Sequence, residues 1–210
     1  MRQPEHPDIQ LIDQNGEVTL YIAGAQAMQA WEQKLMHRSA DLLCGYGDTF
    51  LEVGLGLGLS ALRIAGKTTT KSHTVVEKYQ LVIDLFLAHQ TAPLPRTLDI
   101  VHADIFEYVK IAAPNSFDGI FFDPEFAPGM LDDRELMGHF IPLLLRVLRP
   151  GGVFIPFFSV KPELIDRYIR FFNKIEVTKV PFETYVDTNY TDNVKRGDAF
   201  IQCFIKDWAD

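Results

Sequence analysis

The stretch FLEVGLGLGLSA, residues 50–61, decides the fold that we expect for this chain. Phe50–Val53 is mostly apolar, as in a strand, and glycines follow at the alternate positions Gly54, Gly56 and Gly58. Glycines let the backbone turn sharply and let a ligand approach bare N–H groups at the start of a helix. The stretch therefore predicts a strand, a turn and a helix that together bind a nucleotide-like ligand.

The spacing of these glycines distinguishes between two classes of nucleotide-binding sequence motif. It is Gly-x-Gly-x-Gly with an acidic residue, Glu52, two positions before the first glycine. Dinucleotide-binding folds carry Gly-x-Gly-x-x-Gly and usually lack that acid, so the pattern points away from NAD. An ordinary glycine-rich turn in an α/β protein is the alternative that this stretch alone leaves open.

Length and composition limit the kinds of protein that this chain can be. A chain of 210 residues with 47% hydrophobic and 23% charged residues is long enough for one soluble domain with a single core. The formal net charge of −8 argues against a nucleic-acid partner, because affinity for phosphates rests on Lys and Arg, and favours a small-molecule substrate. Cys44 and Cys203 lie far apart without a metal-ligand pattern, so neither a disulfide nor a metal site is indicated.

The sequence also bears on location and on the N-terminal part of the chain. No apolar run is long enough to cross a membrane and the first residues lack a signal pattern, which predicts a cytoplasmic protein.

Residues 8–23 alternate apolar and polar around an Asn-Gly pair, which predicts a hairpin, and Gln26–Leu43 has helical spacing. We therefore expect a hairpin extension over residues 1–24 and a main domain over residues 25–210.

Short apolar segments alternate with helical segments along the main domain. Strands are expected at residues 50–53, 73–77, 98–102, 119–122, 153–158, 175–180 and 199–205, and helices at 59–65, 79–89, 106–112, 132–148 and 163–172. Asp132 with Glu135 three residues later could cap the fourth of these helices, which Pro142 should kink or break. Strands that are apolar throughout and alternate with helices indicate a sheet covered on both faces. The predicted fold class is α/β.

Four acidic residues lie at or near the ends of the predicted strands: Glu52, Glu77, Asp104 and Asp123. In open parallel sheets, ligands bind beyond the carboxyl ends of the strands. Glu77 follows the glycine turn by about twenty residues, the distance at which an acid accepts hydrogen bonds from ribose hydroxyls. Each acid taken alone is more often a solvated strand end, and an NAD enzyme would share the feature at Glu77.

The glycine stretch resembles motif I of the class I S-adenosylmethionine (SAM) dependent methyltransferases. Asp104 resembles the acid beside the adenine amino group in that family, and the run LRPGGVF at residues 148–154 is similar to the one before its fifth strand. The resemblance implies a Rossmann-like, mostly parallel seven-stranded sheet with helices on both faces. It also implies a SAM site formed by Glu52, Gly54, Gly56, Gly58, Glu77 and Asp104.

A narrower resemblance covers most of residues 19–158. The residues Met28, Trp31, Glu32 and Met36 resemble the Met-x-x-Trp-Glu-x-x-x-Met element ahead of motif I in guanidinoacetate N-methyltransferase and the arginine δ-N-methyltransferases. In these enzymes the glutamate of this element and the acid that ends strand four hold the guanidino group.

This resemblance implies catalytic roles for Glu32 and Asp123 in SAM-dependent methylation of a guanidino-type nitrogen of a small molecule. Trp31, Met36 and Phe126 are the expected apolar residues of the substrate pocket. Chemistry agrees with the roles that the resemblance implies, since planar paired N–H donors match carboxylates.

Departures from the narrower family leave alternatives open. The residues after the strand-four acid are Pro124-Glu125-Phe126, and Asp123 with them resembles the Asp/Asn-Pro-Pro-Tyr/Phe motif of methyltransferases that act on amide or nucleobase amino groups. Both interpretations place a hydrogen-bond acceptor at Asp123. A non-catalytic methyltransferase-like interaction subunit is a third alternative. Residues 183–198, which include Tyr185, Tyr190, Lys195 and Arg196, could form a lid or a plain polar loop.

Overall fold

The computed structural model describes residues 7–14, 16–184, 188–191 and 194–207. The strands are β1 (Ile9–Gln14), β2 (Glu17–Ile22), β3 (Ala25–Gln29), β4 (Thr49–Val53), β5 (Ser72–Glu77), β6 (Leu98–His102), β7 (Phe117–Phe122), β8 (Leu148–Pro156), β9 (Lys174–Glu183) and β10 (Arg196–Ile205). The α-helices are α1 (Gln33–Leu43), α2 (Leu59–Ala65), α3 (Gln80–Ala88), α4 (Ile105–Ile111), α5 (Arg134–Val147) and α6 (Asp166–Ile169). Within this described part, no helix is long and apolar enough to span a membrane.

The main sheet has seven strands in the order β6-β5-β4-β7-β8-β10-β9. The strands from β6 to β8 run parallel, and β10 pairs antiparallel with both β8 and β9. The predicted α/β class with a mostly parallel sheet is confirmed. Because β4, β5, β6 and β7 are parallel, their carboxyl ends meet along one edge, where the predicted acids therefore converge.

Alternate residues of the strands point into two hydrophobic cores. Phe50 packs in a core with residues of α1, α2 and α3, whereas its neighbour Leu51 packs in a second core with residues of α4, α5 and α6. This alternation follows from the two-residue period of a strand. The helices therefore cover both faces of the sheet, as expected.

The N-terminal element is a three-stranded antiparallel sheet in the order β1-β2-β3. The hairpin of β1 and β2 is confirmed, but the helix predicted from Gln26 is wrong over its first residues, because Ala25–Gln29 pairs with β2 and α1 begins at Gln33. Gly24, with φ of +78°, lies in the turn between β2 and β3. The predicted division at residue 24 thus falls inside this sheet, whose Leu20 and Met28 join the first core.

The C-terminal half differs from the prediction at several boundaries. Helix α5 is capped by Asp133 and not by Asp132, since the Asp133 carboxylate accepts hydrogen bonds from the N–H groups of Glu135 and Leu136 at 3.0 Å each. Pro142 lies inside α5, which continues to Val147.

Two further predicted boundaries differ from those of the structure. The Pro-Gly-Gly run at residues 150–152 belongs to β8, where the Gly151 N–H donates to the Lys206 carbonyl at 2.9 Å. The helix predicted over residues 163–172 is reduced to the short α6.

Candidate active site

A cavity of about 1300 Å³ lies at the carboxyl ends of the parallel strands. Small-molecule sites usually measure about 300–1,000 Å³, so this cavity has room for a cofactor and a small second ligand together. Its walls come from the glycine turn, the ends of β4 to β8, helix α4, the segment after β7, and β2 with β3 of the small sheet. The contribution of the small sheet was not predicted from the sequence.

The glycine turn approaches two other parts of the chain without side chains in between. Gly54 has φ of +89°, and a Cβ added there would collide with the carbonyl oxygen of Asp123. Gly56 has φ of +53°, and its Cβ would meet the Met28 sulfur at 2.7 Å. Both line the cavity, whereas Gly58 caps α2 against the Phe86 ring and is not part of the lining.

Glu77 and Asp104 line the same end of the cavity. The Glu77 carboxylate accepts hydrogen bonds from the N–H groups of Leu55 at 2.9 Å and Tyr79 at 2.8 Å, so it braces the glycine turn. Burial raises the pKa of Glu77, against the effect of these hydrogen bonds. Asp104 caps α4 by accepting from the Phe106 N–H at 2.9 Å. Both carboxylates keep acceptor capacity for ligand hydroxyl or amino groups.

Glu52 lies under the cavity and not on its wall. Its side chain is 1% exposed, accepts a hydrogen bond from the Ser60 hydroxyl, and lies 3.0 Å from the Nε2 of the fully buried His73. These contacts join β4 to α2 and β5. Glu52 therefore supports the glycine turn from within the sheet, and its predicted contact with a cofactor stays a prediction.

Asp123 follows β7 and lines the cavity with Pro124, Glu125 and Phe126. Burial, and then the charges of Glu32, Glu52 and Glu125, raise the pKa of Asp123 well above its usual range. A carboxylate in this position is therefore stabilised by any cation that enters the cavity.

Glu32 lies in a short turn ahead of α1 and is fully buried. One carboxylate oxygen accepts a hydrogen bond from the Gln29 N–H at 2.8 Å, and the other has no hydrogen-bond partner among the described residues. Burial raises the pKa of Glu32 to about 8, and the charge of Glu17 acts in the same direction. Glu32 does not line the cavity, but its charge also raises the pKa of Asp123, which does.

The three apolar residues expected in the substrate pocket occupy different positions. Phe126 lines the cavity and stacks on Phe106 with ring centroids 5.4 Å apart. Trp31 lies one layer deeper and packs on Phe158, a lining residue, with ring centroids 6.2 Å apart. Met36 is fully buried in the first core and is not part of the lining.

Tyr190 is a cavity residue that sequence analysis left unassigned within the polar C-terminal segment. Its hydroxyl donates to the Gln26 carbonyl and its ring packs on Phe157 at 5.3 Å, which closes the cavity against β3. Burial raises its pKa, and the charges of Glu32, Asp123 and Glu125 raise it further. Because Gln26 and Tyr190 are 164 residues apart, no local pattern could predict this contact. Tyr185 lies outside the described residues.

Comparison with known proteins assigns the chain to a family. The sequence model described as guanidinoacetate N-methyltransferase matches residues 6–181. The chain belongs to this family. Guanidinoacetate N-methyltransferases are class I methyltransferases, so membership confirms the resemblance seen in the sequence and implies SAM as the cofactor.

Individual relatives cover the chain to different extents. A tRNA (guanine-N(7)-)-methyltransferase of Nitrosococcus oceani is 32% identical over 111 residues, which are 51% of this chain and 47% of the relative. Protein YpiP of Bacillus subtilis is 34% identical over 106 residues, 45% of this chain and 40% of the relative. The chain thus spans less than half the length of these two curated relatives.

Solved structures share the fold at low sequence identity. Spermidine synthase of Thermotoga maritima superposes with a TM-score of 0.69 at 16% identity. The superposition covers 97% of this chain and 71% of the spermidine synthase chain. The N-methyltransferase NodS of Bradyrhizobium japonicum superposes with a TM-score of 0.59 at 16% identity. The superposition covers 84% of this chain and 97% of the NodS chain.

The cavity fits the cofactor that the family implies. Gly54 and Gly56 leave bare backbone at the wall, and Glu77 and Asp104 stand at the ends of two neighbouring strands. These residues would hold SAM by backbone contact and by hydrogen bonds to its hydroxyl and amino groups.

Proposed function

We propose that the protein is a SAM-dependent methyltransferase that acts on a guanidino-type nitrogen of a small molecule. The observation that carries the proposal is the electrostatic coupling of Asp123, on the cavity wall, to the buried Glu32, whose second oxygen has no partner among the described residues. An unpaired buried carboxylate oxygen is costly unless a ligand completes it. A planar cation with several N–H donors would pair with Asp123 and offset the charge of both acids.

The chemistry of the acceptor explains why two carboxylates would be needed. A guanidinium is protonated at physiological pH and has no free lone pair, so it must lose a proton as the new bond forms. SAM, when bound, supplies a methyl group on a positively charged sulfur. Asp123 would orient the nitrogen and accept its proton, and the negative charge of the buried Glu32 would stabilise the cationic group. Fixing this geometry can supply several kcal/mol of the barrier reduction.

The raised pKa values are consistent with this role. Glu32, with a pKa of about 8, binds a proton at neutral pH when no cation is present. A guanidinium beside it favours the ionised form, because an opposite charge lowers the pKa of a carboxyl. Tyr190 lines the same cavity, within the electrostatic reach of both acids.

Binding of the demethylated cofactor provides the first prediction. At a concentration of a hundred times its dissociation constant, it should add about 2.7 kcal/mol to the free energy of unfolding. A rise in melting temperature measured by differential scanning fluorimetry checks this, with NAD as the control ligand. A rise with NAD and none with the demethylated cofactor would assign the cavity to a dehydrogenase.

The acceptor class can be tested by transfer of a labelled methyl group from SAM to guanidino compounds, amines, phenols and carboxylates, followed by mass spectrometry. We expect methylated guanidino compounds, because phenolate and carboxylate acceptors would be repelled by the acids at the cavity. Methylated phenols with unmodified guanidino compounds would refute the proposal.

Methyl transfer to an amide or nucleobase nitrogen is a second candidate. The similarity to a tRNA (guanine-N(7)-)-methyltransferase and the Asp-Pro pair at residues 123–124 favour it, whereas the net charge of −8 opposes a tRNA substrate. Adding tRNA to the panel distinguishes the two. A protein that binds the cofactor and methylates no acceptor would instead be an interaction subunit.

A further inference from the structure

His73 is a fully buried histidine of β5 that the proposed reaction leaves without a role. Its Nε2 lies 3.0 Å from a carboxylate oxygen of Glu52, which belongs to the adjacent strand β4. Neither ring nitrogen forms a hydrogen bond with any other residue in the described part of the chain. Burying a polar ring is costly unless its polar atoms are matched. The contact with Glu52 is therefore the feature that accounts for a histidine at this position.

Glu52 in turn depends on few groups. Its carboxylate is buried, with one oxygen accepting a hydrogen bond from the Ser60 hydroxyl and the other facing His73. No lysine or arginine among the described residues pairs with it. A buried carboxylate that loses one of so few partners must take up a proton, move or admit water. The imidazole is thus the group that keeps Glu52 in its place.

The hydrogen bond between Ser60 and Glu52 spans the glycine turn. Glu52 lies in β4 two residues before Gly54, and Ser60 is the second residue of α2. The bond therefore joins the two ends of the segment that carries Gly54 and Gly56, whose bare backbone lies on the cavity wall. The shape of this wall depends on where the Glu52 carboxylate is held.

We propose that His73 is a positioning residue of the cofactor site, which acts through Glu52 and Ser60 to fix the glycine turn in the shape that binds SAM. His73 does not line the cavity, so its effect on the cofactor is indirect. The physical basis is preorganisation, because a turn that is already held in its bound shape loses less freedom when the ligand binds. The inference goes beyond the proposed function, since it concerns the cofactor and holds for any acceptor.

Two amide substitutions separate the contact at Nε2 from a general need for a polar residue. In His73→Gln the amide nitrogen is as many bonds from the main chain as Nε2 and can donate to Glu52. In His73→Asn it takes the place of Nδ1, which has no partner among the described residues. Calorimetric titration measures the dissociation constant of the demethylated cofactor, and urea unfolding measures stability.

His73→Asn should raise this dissociation constant about tenfold, the effect of losing one hydrogen bond to a charged group, and His73→Gln should raise it less than about threefold. Ser60→Ala removes the other contact of Glu52 and should raise the constant by a factor similar to that of His73→Asn. This variant also provides the test if His73→Asn does not fold. An unchanged constant in Ser60→Ala would overturn the inference.

Thr70→Val is the matched control. The buried Thr70 hydroxyl donates to the Ile64 carbonyl at 2.7 Å, near the C-terminal end of α2, whereas Glu52 holds the N-terminal end. This variant should lower the free energy of unfolding and leave the dissociation constant of the cofactor unchanged.

Two results at His73 itself would overturn the inference. One is a lower free energy of unfolding in His73→Asn with an unchanged dissociation constant, since His73 would then only stabilise the fold. The other is an equal rise of the constant in His73→Gln and His73→Asn, since the contact at Nε2 would then not be the cause. Both measurements use the cofactor alone, so failure of the guanidino proposal would not alter them.

Discussion

Replacing Asp123 by asparagine should lower the rate of methyl transfer by two or more orders of magnitude. Asparagine has nearly the same shape but cannot accept the proton that a guanidinium must lose, and positioned proton transfer contributes about 10²–10⁴-fold. The affinity for the demethylated cofactor should stay nearly unchanged. Single-turnover rates with labelled SAM and calorimetric titration of the demethylated cofactor measure the two quantities.

Asp104→Asn is the matched control for this prediction. Asp104 lies on the cavity wall after β6, which β5 and β4 separate from β7, on the side assigned to the cofactor. The same chemical change there should weaken cofactor binding and leave the single-turnover rate at saturation within a few fold. Near-normal turnover in Asp123→Asn would remove the basis for Asp123 as the proton acceptor.

Glu32→Gln should change how the free energy of unfolding depends on pH. The folded-state pKa of Glu32 is about 8, above its ordinary value of 4.5, so the folded protein holds this proton more tightly than the unfolded chain. Stability is therefore lost as pH rises from about 4.5 to 8. The loss due to this residue is on the order of several kcal/mol, since each unit of pKa corresponds to about 1.4 kcal/mol. Glutamine cannot ionise, so the Glu32→Gln variant should not show this loss of stability.

Urea unfolding at pH 5 and pH 8 measures the effect. Asp123 and Glu125 also have raised pKa values, so both proteins should lose stability over this interval, but the unmodified protein should lose more. Glu32→Gln should also lower turnover by orders of magnitude. If the free energy of unfolding depends on pH in the same way in both proteins, the pKa of Glu32 is not raised by folding. Near-normal turnover would leave Asp123 alone as the acceptor acid and favour the amide or nucleobase alternative.

The sequence predicted the central elements because their signals are local. Helix α2 was placed at Leu59–Ala65 and β6 at Leu98–His102, since apolar runs bounded by glycines, acids or polar loops have few other interpretations. The convergence of Glu77, Asp104 and Asp123 followed from the parallel order of the strands alone.

Other features depend on contacts between distant parts of the chain. The apolar spacing of Met28 and Trp31 fits a helix, but pairing with β2 makes Ala25–Gln29 a strand. Glu52 contacts Ser60 and His73, which lie on other elements, and its expected contact with the cofactor, implied by the family resemblance, stays a prediction. Such contacts leave no periodic signal in the sequence.

Any side chain at Gly54 would collide with the carbonyl of Asp123, so only glycine lets the two backbone segments lie this close together. This glycine lets the turn lie directly against the strand end that carries Asp123. In the proposed reaction it would therefore set the gap between the transferred methyl group and the nitrogen that receives it. Misplacement by about 1 Å can slow a group transfer about a hundredfold. The absence of a side chain at Gly54 would thus limit how far apart the two proposed reactants lie.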